Sequence, residues 1–181
     1  MVVITQLDKM AIARIGEVDR SEHVTRAYVY QDGGLLLEEV DWRVPPWFVE
    51  GRGSHSVQGN IDDWAPLLER DGVMLGALDE GRLVGFAIYR PHLEEGMGQL
   101  AVLHVDCAHR GQGIGRALTE QIVHLSQAHG ERRLYVSATP SAPTVEFYRS
   151  CGFDLAEEVH PALFALEPED VHLIRELDRE R

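Results

Sequence analysis

Cysteine is nearly missing from this chain: Cys107 and Cys151 are the only two in 181 residues. No disulfide framework is implied, and two free thiols fit a reducing, cytoplasmic setting. Basic side chains are also scarce, with 17 lysines and arginines against 30 aspartates and glutamates, for a net charge of −13. That balance excludes the basic face by which a nucleic-acid binder grips phosphates, so no nucleic-acid partner is expected. It suits attraction of a cationic partner such as an amine, and it equally suits plain solubility. No apolar run approaches the length of a membrane span, so no membrane partner is expected. The opening MVVITQLDKM has too short an apolar stretch, and no cleavage-type ending, for a signal peptide. No repeat period or low-complexity tract is found. Neither H-E-x-x-H nor Cys-x-x-Cys occurs, and no metal site is expected. What is present is an ordinary globular composition, 44% apolar and 26% charged. The length suits a single domain over residues 1–181 with a real core.

Local patterns give an order of elements. MAIARIG reads as an opening strand. VDRSEHVTRAYVY reads as a helix, with Val24, Ala27 and Tyr28 at helical spacing and Asp19 or Ser21 as N-cap; QDGG ends it. Residues 35–60 hold no period and read mostly as loop. IDDWAPLLERDG reads as a short helix with Ile61, Trp64, Leu67 and Leu68 on one stripe and Gly72 as its stop. VMLGALDEGRLVGFAIYRP is two apolar runs around DEG, a hairpin signal, and MGQLAVLHVD is a third strand. Helical spacing returns from Ile114 to His129 and closes at Gly130. RRLYVSA is a buried strand, and SAPTVEFYRSCG a helix capped by Ser141 and ended by Gly152. FDLAEE and DVHLIREL form a last strand pair, separated by the loop VHPALFALEPE. The order predicts an α+β (mixed α/β) domain whose last crossovers are able to make parallel pairs.

The stretch HRGQGIGRAL lies where a strand hands over to a helix, a place where free amides and the helix dipole bind anions. The dinucleotide fingerprint G-x-G-x-x-G fails in both registers, at Arg116 and at Leu118. The G-x-x-x-x-G-K-[ST] loop fails as well. What fits is R-x-x-G-x-G, spelled by Arg110, Gly113 and Gly115. This pattern resembles the acetyl-coenzyme A pyrophosphate loop of the GNAT N-acetyltransferase superfamily, and the element order from about Val73 to Phe153 resembles that superfamily's scaffold. The resemblance implies a central, mixed but mostly antiparallel sheet flanked by helices, with a splayed strand pair at the cofactor groove. It further implies acetyl-CoA as cosubstrate. Arg110, Gly111, Gln112, Gly113, Ile114, Gly115 and Arg116 would form the pyrophosphate loop, and Leu103 and Val105 would bind the pantetheine arm through main-chain groups. Ser141 falls where many relatives carry an asparagine that contacts cofactor.

By the same resemblance Tyr148 falls on the tyrosine that serves as general acid toward the departing thiolate, a role a phenol can fill. Relatives often carry a carboxylate or histidine base on the strand before the loop, at positions that here are Gln99 and Ala101; neither accepts a proton. A base is expected instead from a water held by Gln99, from the 35–60 segment or from the late loop, or the amine loses its proton to solvent and only its neutral fraction reacts. His104 should leave the sheet face opposite to Leu103 and Val105, and a Cys107 nucleophile with His104 or His109 has nothing else to support it. The implied activity is direct transfer of acetyl from acetyl-CoA to a primary amine of a small-molecule or peptide acceptor, with a homodimer as the family habit. The alternative is a non-catalytic acyl-coenzyme A binding or sensing module. DWRVPPWF and HPALFALEPE are expected to wall the acceptor pocket, with Trp42, Trp47 and Phe48 from one and Phe164, Glu167 and Glu169 from the other.

Overall fold

The DEG signal is the clearest point of agreement between local sequence and fold. Glu80 and Gly81 both take positive φ (48° and 84°), the two-residue turn whose twist matches a hairpin. Asp79 pairs with Arg82 across it. The computed structural model describes residues 1–31 and 34–177. Around this hairpin the chain runs β1 (Val3–Leu7), a 3₁₀ helix (Lys9–Glu17), β2 (Glu22–Gln31), β3 (Gly34–Val44), α1 (Val57–Glu69), β4 (Val73–Asp79), β5 (Arg82–Glu94) and β6 (Met97–Val105). A 3₁₀ turn (Cys107–His109), α2 (Ile114–Ala128), β7 (Arg133–Ala138), α3 (Ala142–Ser150), β8 (Asp154–Leu155), α4 (Pro161–Leu166) and β9 (Val171–Glu176) complete it.

Seven strands form one sheet in the order β1-β4-β5-β6-β7-β9-β8. Only β6 and β7 are parallel, joined by the α2 crossover; the other neighbours are antiparallel. This is the mixed, mostly antiparallel sheet flanked by helices that the resemblance implied. β2 and β3 pair separately as a long hairpin. One sheet face packs under α2 and α3 in a single apolar cluster that includes Leu75, Ala87, Leu118, Ile122, Val136 and Phe153. The other face carries two clusters, one under the 3₁₀ helix and α1 (Ile15, Phe86, Ile88, Val102) and one under α4 (Leu93, Met97, Tyr135, Leu163).

Four local expectations are corrected. MAIARIG is not a strand but part of the 3₁₀ helix, capped by the Asp8 side chain on the Met10 N–H, with Ile12 and Ile15 buried at its period of three; the opening strand is the preceding VITQL. VDRSEHVTRAYVY is largely β2, not a helix. A bulge between Val24 and Arg26 puts the buried Val24 and Ala27 three apart, which imitates helical spacing. QDGG is therefore no helix stop, although Asp32 and Gly33 lie outside the described residues. Residues 35–60 are not mostly loop, since β3 reaches Val44 and α1 begins at Val57 under a Ser56 cap. VHPALFALEPE holds α4, which begins with Pro161 after His160 caps it.

Candidate active site

The site begins with a parted strand pair. β6 and β7 pair at Met97–Arg133, Gly98–Leu134 and Gln99–Tyr135, and no further. Just beyond, the partners of β6 jump from Leu100–Tyr89 to Val102–Ile88, leaving Ala101 as an extra residue. Such a bulge bends its strand, and here it turns β6 away from β7. The Asp106 N–H donates to the Val84 carbonyl at 2.9 Å. By alternation, the backbones of Val102 and His104 also turn toward β5, and those of Leu103 and Val105 turn into the gap. The side chains follow the expectation: Leu103 and Val105 pack on the α2 face, Val102 on the opposite one.

Past β6 the chain enters the glycine loop. Gly113 (φ 83°, ψ 0°) occupies the N-cap position of α2 without any side-chain cap. The first helical amide bonded to the preceding turn is that of Ala117, which donates to Gly113 C=O at 2.9 Å; the amides of Ile114, Gly115 and Arg116 precede the ladder and point out of the helix end. A Cβ at Gly111 or Gly113 would meet no atom within 4 Å. The two glycines, both at positive φ, leave open space in front of those amides. Gly115 has a different job, because a Cβ there would stand 3.3 Å from the Phe147 ring. The two arginines are exposed, and both hydrogen-bond to neighbouring backbone. Arg110 donates to the carbonyls of Val105 (3.2 Å) and Arg20 (3.0 Å) and pairs with Glu22 at 3.7 Å. Arg116 holds the end of α3 through Ser150. Gln112 returns to the Ala108 carbonyl. With the Val105 carbonyl engaged by Arg110, the main chain of Leu103 is the freer of the two in the gap.

β2 is tied to both sides of this gap. Asp19, just ahead of it, bonds to Asp106 and to Cys107 at the end of β6. Farther on, the Tyr28 N–H donates to Pro140 C=O at 2.8 Å, and Ala27 bridges to Ser141 at the end of β7. Ser141 caps α3, accepting from the Thr144 N–H at 3.3 Å and donating to the Thr144 hydroxyl at 2.8 Å. That helix places Tyr148, whose ring stacks edge-on with Phe147 and Phe153. Its hydroxyl has no hydrogen-bond partner among the described residues. Burial, with the Cys151 thiol and the Asp170 carboxyl adding to it, pushes the phenol well above its usual pKa.

Next to the end of β7 lies an open pocket of about 470 Å³, walled by Trp42, Thr139, Pro140, Leu166, Glu167, Pro168, Glu169 and Asp170. The hairpin residue Trp42 and the late-loop carboxylates Glu167 and Glu169 thus meet as expected. Trp47, Phe48 and Phe164 do not line it. Trp47 stacks with Trp64 and His104, Phe48 with His55, and Phe164 with His172. His104 leaves the sheet on the face opposite Leu103, among Trp47, Trp64 and Phe86. Burial there, with the charges of Arg20 and Arg110, pushes its pKa down to about 3. Cys107 neighbours Asp19, and His109 holds Asp106 at 2.9 Å, so no thiol–imidazole pair forms among these residues. Gln99 is buried and Ala101 is the bulge residue.

Asp170 is the residue that motif reasoning missed. The reading stopped one residue short, at Glu169. The signal available was alternation: Val171 and Leu173 are apolar and buried, so Asp170 and His172 belong to the other side of β9. Asp170 accepts from the Ser137 hydroxyl at 3.0 Å. Its pKa is raised to about 6, by burial first and then by Glu167 and Glu169, against the Ser137 hydrogen bond. His172, two residues on, shares a 2.8 Å hydrogen bond with the Tyr135 hydroxyl. Its buried Nε2 lies near the Glu167 carbonyl without a well-formed hydrogen bond.

The sequence profile of the Acetyltransferase (GNAT) family matches residues 37–153. Over 102 residues, 55% of this chain and 33% of the relative, the sequence is 34% identical to a mycothiol acetyltransferase of Corynebacterium glutamicum (strain R). A mycothiol acetyltransferase of Mycobacterium avium (strain 104) is 30% identical over 139 residues, 76% of this chain and 38% of that protein. The chain spans about a third of the length of these curated relatives. Among solved structures, a nourseothricin acetyltransferase superposes with a TM-score of 0.73 at 20% identity, covering 98% of this chain and 99% of the other. The PaiA N-acetyltransferase of Thermoplasma acidophilum, solved with coenzyme A, superposes at 0.60 with 14% identity, covering 97% and 99%. At these identities the superpositions establish the fold.

Proposed function

The chain belongs to the Acetyltransferase (GNAT) family, and from that premise we propose that it moves an acetyl group from acetyl-CoA to a primary amine by direct attack. The observation that carries this reading is the parted β6–β7 pair ending at an uncapped helix N-terminus. The main chain of Leu103, with that of Val105 beside it, pairs with the amide-bearing pantetheine arm as an added strand would. The amides of the Gly111–Arg116 turn take the pyrophosphate, with space for its oxygens in front of Gly111 and Gly113. Arg110 and Arg116 hold the loop's neighbours in place and add positive charge around the phosphates.

Tyr148 is the acid. Its raised pKa keeps the proton on the phenol at every working pH, so the hydroxyl donates a hydrogen bond to the sulfur as the carbon–sulfur bond breaks. Its lack of a protein partner leaves that hydrogen bond for the substrate. The acceptor enters at the pocket beside Trp42, where Glu167 and Glu169 favour a small cationic amine. The chief contribution of the protein is alignment of amine and thioester. Free Cys107 and Cys151 suit a cytoplasmic enzyme.

The test is a panel of amines, from diamines and amino acids to amino sugars and peptide N-termini, with acetyl-CoA and thiol release as readout. Turnover is expected to favour small amines carrying a second positive charge. Tight acetyl-CoA binding without turnover on any amine would overturn acetyl transfer and leave a sensing module.

A further inference from the structure

We propose that Asp170 is the group that takes the proton from the attacking amine, an assignment that rests on the acetyl-transfer reading above. By the family resemblance, the β6 positions where relatives often carry a base hold Gln99 and Ala101, neither of which accepts a proton, so the proton passes either to solvent or to an acceptor elsewhere in the fold. Asp170 lines the pocket beside Trp42 and Thr139. The residue is nine-tenths buried. One carboxylate oxygen accepts from Ser137 on β7, and the other has no protein partner among the described residues. Its carboxyl is one of the groups that raise the Tyr148 phenol, after burial and the Cys151 thiol.

The charged and titratable groups around Asp170 explain its suitability. Glu167 and Glu169, from the segment between α4 and β9, repel its negative charge, while Ser137 alone offsets them by hydrogen bonding. β3 contributes Trp42, which brings no charge, and α3 contributes the protonated Tyr148. His172, next on the same side of β9, is occupied at Nδ1 by Tyr135. The carboxyl therefore titrates at about 6, ionised at neutral pH yet more basic than a solvated carboxylate. Glu167 and Glu169 are exposed, whereas Asp170 is buried against Ser137. His104, with its pKa near 3, is too weak a base.

The proton balance is simple. The neutral amine nitrogen forms its bond to the acetyl carbonyl carbon and becomes acidic as it does so. The Asp170 carboxylate takes one N–H proton, and the carbon–sulfur bond breaks with its electron pair on sulfur. The Tyr148 hydroxyl supports that sulfur until a proton reaches it, and Asp170 returns its proton to solvent.

The experiment is the pH dependence of kcat/KM for acetyl transfer to spermidine, for wild type, Asp170→Asn, Ser137→Ala and His172→Gln. Wild type should show an added tenfold loss per pH unit below about pH 6, on top of the loss from amine protonation. In Asp170→Asn that added inflection should vanish, with kcat lower by roughly a hundred- to ten-thousand-fold and acetyl-CoA affinity unchanged. Ser137→Ala keeps the carboxylate but loses its only stabilising hydroxyl, so the inflection should move to higher pH. This variant also carries the test if Asp170→Asn does not fold. Wild-type kinetics and profile in a folded Asp170→Asn would overturn the assignment and leave acetyl transfer intact. So would an inflection that survives there and disappears in His172→Gln. If wild type turns over neither spermidine nor any amine of the panel, acetyl transfer fails, and the base assignment with it.

Discussion

The two faces of the seven-stranded sheet are built on different plans. Under α2 and α3 the apolar side chains form one continuous cluster, from Leu75 and Ala87 to Leu173, with Leu118, Ile122 and Phe153 fully buried. On the opposite face the apolar groups divide into a cluster under the 3₁₀ helix and α1 and a smaller one under α4. Polar residues on or just ahead of the strands, among them Ser137, Asp170 and His172, lie near the smaller cluster, where His172 bonds its Tyr135. The difference assigns the labour. A continuous apolar face fixes the strands and the helix that bears Tyr148. A divided face leaves a polar strip, and the proposed acceptor route to the gap runs along it. Each prediction below would break or sharpen that division.

The largest effect is expected at Tyr148, within the continuous cluster. Tyr148→Phe keeps the buried ring and its contacts with Phe147 and Phe153 but removes the hydroxyl. Turnover should fall by roughly a hundred- to ten-thousand-fold, while the Michaelis constants change little, because the lost hydrogen bond belongs to the transition state. Steady-state kinetics under conditions where chemistry limits the rate make the check. Wild-type turnover would reduce Tyr148 to a packing residue of the continuous face.

Next come the cores themselves. Leu118 is fully buried in the continuous cluster, and Leu118→Ala should lower unfolding free energy by about 3–5 kcal/mol. Leu163 sits in the small cluster under the six-residue α4, where the cavity can collapse. Leu163→Ala should lower it by about 1–2 kcal/mol. Denaturant titration ranks the two, and the reverse order would mean that the divided face is the stronger scaffold.

Asp170 tests the polar strip with the opposite sign. A carboxyl whose folded pKa, about 6 here, exceeds its unfolded value of roughly 4 binds its proton more tightly in the folded chain. That contribution is complete below about pH 4 and is lost as pH rises through 6. At pH 7 the ionised group therefore opposes folding. Asp170→Asn, which keeps an acceptor for the Ser137 hydroxyl, should raise stability at pH 7 by about 2 kcal/mol after allowance for solvent screening. The gain should close by pH 4. A variant less stable at pH 7 would show that the carboxylate is structural.

Legibility in the sequence followed the same division. From Val73 to Phe153 periodicity, turn residues and caps agree with one another: the helices bury one face against the continuous cluster, and the strands are apolar runs buried on both faces. The glycine loop and Tyr148 lie in that stretch, which is why a motif could single them out as candidates. The β2–β3 hairpin was hidden by its own bulge, since burial of Val24 and Ala27 three residues apart imitates a helix. Val24, Thr25, Tyr28, Val29 and Tyr30 were the β-prone signal against that reading. α4 was hidden by its length, for six residues give no period to count. Asp170 was hidden because its role depends on Ser137 and Trp42, which are remote in sequence and meet it only in the fold.

The smallest effect separates two roles that the sequence left joined at Ser141. Its hydroxyl is occupied on both counts, as acceptor from the Thr144 N–H and as donor to the Thr144 hydroxyl. Its main chain meets Ala27 of β2. The side chain thus belongs to helix capping and, with both functions engaged inside α3, has no hydrogen to offer a cofactor. Ser141→Ala should lower stability by about 1 kcal/mol, the usual loss for a hydroxyl N-cap. Acetyl-CoA affinity measured by calorimetry should stay within twofold of wild type, since the backbone position is held by β2. If affinity instead falls tenfold while stability is untouched, the hydroxyl must leave Thr144 for the ligand. Ser141 would then belong to the groove, and the cofactor would draw on the continuous face for more than its shape.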